Sequence, residues 1–135
     1  MESDGLLSLY GSKLPDSKNR YGDLMPIIDQ ATFEELKQMS GEDFINELID
    51  AFLDDAPNML SNMQTALETN DVELFRRNAH SLKSNANTFG ATELGALAKE
   101  LESMAKENNL VVGNRLEIIN EAYAKVAEEL KGMRV

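Results

Sequence analysis

The chain has no cysteine, no tryptophan and a single histidine among its 135 residues. Without cysteine there is no disulfide framework and no thiolate nucleophile, and without a second His or Cys there is no His/Cys metal centre. Apolar runs are short as well, and none approaches the roughly 18 residues of a membrane span. The first residues, with Glu2 and Asp4, lack the basic and apolar regions of a signal peptide, which makes the cytoplasm the expected location. Neither GxxxxGK[ST] nor GxGxxG occurs, so no recognisable device for binding ATP is present. Positive charge is scarce: 13 Lys and Arg face 24 Asp and Glu, a net charge of −11, which disfavours nucleic acid and anionic membranes as partners.

What charge there is lies unevenly. Residues 29–73 hold twelve acids and one base, Lys37, whereas acids and bases balance over the rest. Between Leu74 and Thr92 there is no acid at all, and this stretch contains Arg76, Arg77, the lone His80 and Lys83. A chain otherwise rich in carboxylates has cleared them from around one imidazole.

Residues 1–26 mix Gly, Ser, Asp, Asn and Pro without a sustained period and are expected to form an arm or linker. From residue 27 to 135 the pattern is helical. Thr32 with Glu35 forms a capping box ahead of Phe33, Leu36 and Met39, a short helix ending near Gly41. Ile45, Ile49, Phe52, Ala56, Met59, Met63 and Ala66 then repeat at alternating spacings of four and three. The repeat keeps its phase across Pro57, which predicts one long kinked helix. Asn70 or Asp71 caps a third helix with the stripe Val72, Phe75, Ala79, Leu82, Ala86 and Phe89, stopped by Gly90. A fourth carries Leu94, Leu97, Leu101 and Met104. The last runs from about Asn114 with Leu116, Ile119, Tyr123, Val126 and Leu130. These stripes read as core rather than as a cofactor pocket. The prediction is an all-α, antiparallel up-down four-helix bundle with an additional short N-terminal helix.

On the third helix His80 follows the buried Ala79 by one residue, about 100° around the axis. Its helical neighbours are Arg76, Arg77, Lys83, Ser84 and, one turn on, Asn87, all polar. His80 is therefore expected on the flank of the bundle, facing water. Ten residues separate it from Gly90, and twelve separate Gly90 from Glu102. Both side chains should stand ~15–18 Å from the turn, at similar height. Small Gly95 and Ala98 on the Glu102 face allow the two helices to approach closely. A carboxylate there holds one ring nitrogen and leaves the other free to react; the plainer alternative is a surface acid paired with Lys99 or Lys106. A free imidazole is mostly neutral, hence nucleophilic, at pH 7, and the neighbouring cations would stabilise an attached phosphoryl dianion. Ser81 and Ser84 suggest a hydrolase only weakly, since nothing supplies an oxyanion hole.

The stretch AHSLKSNANTFGATELGALAKELE, residues 79–102, resembles the histidine phosphotransfer (HPt) domain of multistep two-component phosphorelays. The shared features are His80, Leu82 two later, Lys83 three later, the small Ser84, Gly90 ending the helix and, where the family has an acid or amide on the next helix, Glu102. Many members carry Gly where Ser84 stands. The resemblance implies that His80 accepts a phosphoryl group from a receiver-domain aspartate and passes it to another receiver. Lys83, with Arg76 or Arg77, would steady the phosphoryl oxygens, and Ser84 and Asn87 would face the partner. Mg²⁺ would come from the receiver, with no cofactor or metal held by this domain. The implied partners are response-regulator receiver domains and a hybrid sensor histidine kinase, served by a monomeric phosphocarrier without kinase activity of its own. The competing reading is a helical docking module that binds a signalling partner without being phosphorylated.

Overall fold

A computed structural model describes residues 26–135; the arm expected over 1–26 lies outside them except for Pro26. Five helices follow in order: α1 Gln30–Ser40, α2 Glu42–Thr69, α3 Val72–Phe89, α4 Thr92–Lys106 and α5 Arg115–Met133. The long four form the expected antiparallel bundle and α1 is the short addition. The described residues contain no strand. The core draws on all five helices, with Phe33, Ile45, Met63, Phe75, Leu82, Leu101, Ile119 and Leu130 buried. Each large apolar side chain removed from water in this way contributes about 1.5–3 kcal/mol. At one end Phe52 packs against Phe89 at 5.3 Å and edge-on against Tyr123 at 5.8 Å between ring centroids.

Three sequence expectations shift. The cap of α1 is Asp29 rather than Thr32: its carboxylate accepts the Thr32 backbone N–H at 3.2 Å and the Thr32 hydroxyl as well. Asp is as strong an N-cap as Ser or Thr, and Asp29 is further fixed because its own N–H donates to the Gly90 carbonyl at 2.8 Å. Met39, placed in the apolar stripe, lies in the last turn of α1 and is 81% exposed. On α2 it is Leu60 that is buried and Met59 that is half-buried. A period of 3.6 from Ala56 falls between the two, and both touch the core.

One helix carries through Pro57. Proline has no N–H to give the carbonyl of Leu53 four residues back. The Tyr123 hydroxyl of α5 reaches that carbonyl instead, at a long 3.5 Å. Burial, with the charge of nearby Asp54, raises the Tyr123 hydroxyl above the usual phenol range, so it stays a donor. We expect Pro57→Ala, which restores the helical donor, to stabilise the protein by about 1–2 kcal/mol. Thermal unfolding checks this, and a lowered midpoint would contradict it.

Asn70 and Asp71 divide the work at the α2–α3 junction. Asn70 closes α2 in the left-handed conformation, φ 56°, while the Asp71 side chain caps α3 through the Leu74 N–H. At the α3–α4 turn Gly90 adopts φ 86°, and the Ala91 N–H reaches back to the Ala86 carbonyl at 2.9 Å. The C-terminus is clipped to α2: Arg134 makes a two-pronged bond to Asp50, and the Val135 backbone bonds both ends of the Asn46 amide. Among the described residues no helix is long and apolar enough to cross a membrane.

Candidate functional site

The most extensive helix pairing in the fold is α3 with α4. Ala79 and Leu82 from α3, and Ala98 and Leu101 from α4, are buried in their seam. Burying Ala79 turns its neighbour His80 outward, and burying Leu101 sets Glu102 at the edge of the same seam. The small residues bring the helices close, and a Cβ at Gly95 would overlap the Asn87 side-chain oxygen. Asn87 thus leans over Gly95, filling the space that an alanine there would take.

This approach assembles a compact charged cluster. His80, with its side chain 54% exposed, bonds through Nδ1 to Glu102 Oε2 at 2.8 Å. Lys83 Nζ lies 2.7 Å from Glu102 Oε1, and Lys106 Nζ lies 3.7 Å from Oε2. Glu102 itself is only 3% exposed and is the one charged residue in the buried set among the described residues. A buried charge is costly unless it is paired and hydrogen-bonded, and here both carboxylate oxygens are engaged. Burial alone would push the Glu102 carboxyl up. Hydrogen bonds from Lys83 and His80, with the charges of Lys83 and Lys106, outweigh it and hold the group at about 2. Glu102 is therefore an anion at neutral pH and an acceptor only. Its partner, Nδ1, must be the ring nitrogen that carries the proton. In the neutral ring this leaves the Nε2 lone pair free, on a half-exposed side chain.

The other residues singled out in the sequence surround this cluster. Arg76 is tied to Glu73 one turn earlier on α3. Arg77 is exposed and has no ion pair among the described residues. Ser84 is exposed, its carbonyl accepting the Thr88 hydroxyl at 2.9 Å. The reading of Glu102 as a surface acid paired with Lys99 or Lys106 is corrected on two counts: Glu102 is buried, and Lys99 is not among its partners. Lys106 does reach it, as a third neighbour beside His80 and Lys83. Its spacing of four from Glu102 was the available signal, but helical spacing alone does not say that the acid is buried.

No group of three or more His, Cys, Asp or Glu able to hold a metal occurs among the described residues. Surface grooves occur elsewhere, one between α4 and α5 lined by Leu94, Leu97 and Ile118, another along the outer face of α4. Neither includes His80. The imidazole stands on an open flank, a placement suited to a macromolecular partner more than to an enclosed small substrate.

Comparison with known proteins agrees with this geometry. A family model described as "Hpt domain" matches residues 47–133. "Phosphorelay protein LuxU" of Vibrio cholerae is 28% identical over 101 residues, covering 71% of this chain and 89% of that protein. "Sensory/regulatory protein RpfC" of Xanthomonas campestris pv. campestris is 29% identical over 80 residues, which are 58% of this chain but 11% of RpfC. Among solved structures, the histidine-containing phosphotransfer protein B (HptB) from Pseudomonas aeruginosa PAO1 superimposes with a TM-score of 0.76 and 29% identity. The match covers 81% of this chain and 95% of that one.

Proposed function

Because the chain belongs to the Hpt domain family and acts in histidine phosphotransfer within a phosphorelay, we propose that His80 Nε2 is the atom that carries the phosphoryl group. The observation that supports this most is the pairing of Nδ1 with a buried, ionised Glu102 while the ring stays open to solvent. In the acceptance step the Nε2 lone pair forms a bond to phosphorus, the acyl-phosphate P–O bond of a receiver aspartate breaks, and the aspartate leaves as a carboxylate. The return step reverses this toward a second receiver.

The domain's part is positioning and electrostatics. Lys83, held beside the ring by Glu102, turns toward the phosphoryl oxygens, Arg77 adds positive charge at the rim, and Arg76 does so less because Glu73 engages it. Ser84 and Asn87 face the docked receiver. Mg²⁺ and the catalytic acids belong to that receiver, and the cofactor complement of this domain is none. We further assign it as a cytoplasmic monomer without kinase activity of its own, loaded through a hybrid sensor histidine kinase and serving response-regulator receivers. The partial match to a much larger sensory protein supports the kinase assignment.

The test is incubation with a phosphorylated receiver domain and Mg²⁺, followed by ³¹P NMR. An acid-labile, base-stable phosphoryl group on His80 is expected. No label across several receivers would replace the carrier by the docking-module reading. Lys83→Ala should slow transfer by roughly 10- to 100-fold, as loss of one stabilising donor does, without lowering helicity. An unchanged rate in rapid-quench measurements would remove Lys83 from the mechanism.

A further inference from the structure

The carrier reading says where the phosphoryl group sits but not how a receiver is held beside it. We propose that the Asn87 side-chain amide, seated on Gly95, is a preformed docking group that hydrogen-bonds a main-chain peptide group of the receiver. This inference rests on His80 being the carrier and deepens that reading.

Helix α3 carries three asparagines, and two of them are spent within the protein. Asn78 donates to the Leu74 carbonyl at 2.9 Å and accepts from Asn62 of α2 at 3.2 Å. Asn85 donates to the Ser81 carbonyl at 2.8 Å. Asn87 is exposed, and its side-chain amide makes no hydrogen bond among the described residues; its backbone carbonyl accepts the Gly90 N–H at 3.1 Å. Asparagine is also a poorer helix former than alanine, so the fold gains nothing from an amide at this place.

The amide nevertheless has a seat. Gly95 of α4 is buried, and a Cβ there would overlap the Asn87 amide, its oxygen most of all. The amide occupies the place of the missing methyl and leans onto α4. A side chain settled before its partner arrives loses little rotamer freedom on binding. It offers two donors and an acceptor, the complement of a peptide group. Main-chain recognition is indifferent to the partner's side chains, which suits a carrier that must meet both a donor and an acceptor receiver.

The position fits as well. His80, Ser84 and Asn87 follow at spacings of four and three and share one face of α3, with Asn87 about 10 Å along the helix from the imidazole. A partner that buries about 800 Å² of this surface covers a patch roughly 16 Å in radius. A receiver centred on His80 therefore reaches over Asn87. That same distance keeps the amide off the phosphoryl group, so it acts on docking and not on the chemical step.

The test measures transfer to the full chain from a phosphorylated receiver with Mg²⁺, by rapid quench over a range of receiver concentrations. Asn87→Ala is expected to raise the half-saturating concentration about 5- to 10-fold, while the maximal rate changes by less than about twofold. Its thermal midpoint should stay level or rise, since alanine is the better helix former. Docking that weakens while the fold does not is a pattern that a purely structural asparagine would not give. Gly95→Ala, whose methyl takes the amide's seat, should also raise the half-saturating concentration, and adding Asn87→Ala to it should make docking no worse. An unchanged half-saturating concentration in Asn87→Ala would overturn the proposal, as would a loss confined to the maximal rate or a lowered midpoint. Fully additive losses in the double variant would overturn the link to Gly95. If the parent chain takes up no phosphoryl group at all, the carrier reading itself fails and this inference with it. Normal transfer with unchanged half-saturation sinks only the inference.

Discussion

His80→Gln should accept no phosphoryl group, with transfer falling at least about 10³-fold to the limit of detection, while helicity and thermal midpoint barely change. The two halves of this expectation have different causes. The chain contains no second histidine and no cysteine, so no neighbouring nucleophile of comparable strength can substitute. The side chain at position 80 is more than half exposed, and surface replacements of this kind usually alter stability by less than about 0.5 kcal/mol. Glutamine also keeps an N–H with which to satisfy Glu102, so the buried carboxylate is not orphaned. Autoradiography after incubation with a labelled receiver, paired with circular dichroism, decides the matter. Label retained on the folded variant would move the acceptor away from His80.

Gly90→Ala should be the most damaging single-methyl change in the fold, lowering stability by about 2–3 kcal/mol. Two penalties combine. At φ 86° an L side chain sits in the left-handed region, where it costs roughly 1–2 kcal/mol. In addition, the new Cβ would lie 2.9 Å from the Asp29 carbonyl oxygen and 3.0 Å from Thr32 Cβ. The first of these is backbone and cannot rotate away. Relief requires shifting the start of α1, and that shift loosens the bond from Asp29 N–H to the Gly90 carbonyl. The midpoint of thermal unfolding should fall by roughly 10 °C. A fall of only a degree or two would mean that the α1 junction yields easily.

The α3–α4 half of the molecule was largely legible in its residues, and the reasons are physical. Stripes at 3.6-residue spacing, Gly90 as a stop and the equal distance of His80 and Glu102 from it all follow from helix geometry, which is the same in every protein. The features that escaped depend on tertiary surroundings. Asp29 rather than Thr32 caps α1 because a carbonyl from a distant turn fixes it. Leu60 and Met59 exchange places because two neighbours compete for one position against the core. The burial of Glu102 could not be read because spacing reports which side chains are neighbours, while burial depends on how closely Gly95 and Ala98 let the helices approach. Lys83 stood out as a cation near the imidazole, but its bond to Glu102 became visible only once that carboxylate was placed.

All four members of the cluster, His80, Lys83, Glu102 and Lys106, lie on two consecutive helices joined by a two-residue turn. The reactive geometry is therefore local along the chain, and contacts of short sequence separation form without a large loop-closure cost. The acidic α2, the α1 clasp and the clipped C-terminus contribute bulk and outer surface rather than reacting groups. Substitutions on those outer elements can alter stability and surface charge while the reacting groups stay in place. The reacting groups thus occupy one short stretch of sequence, and the outer elements are open to change without moving them.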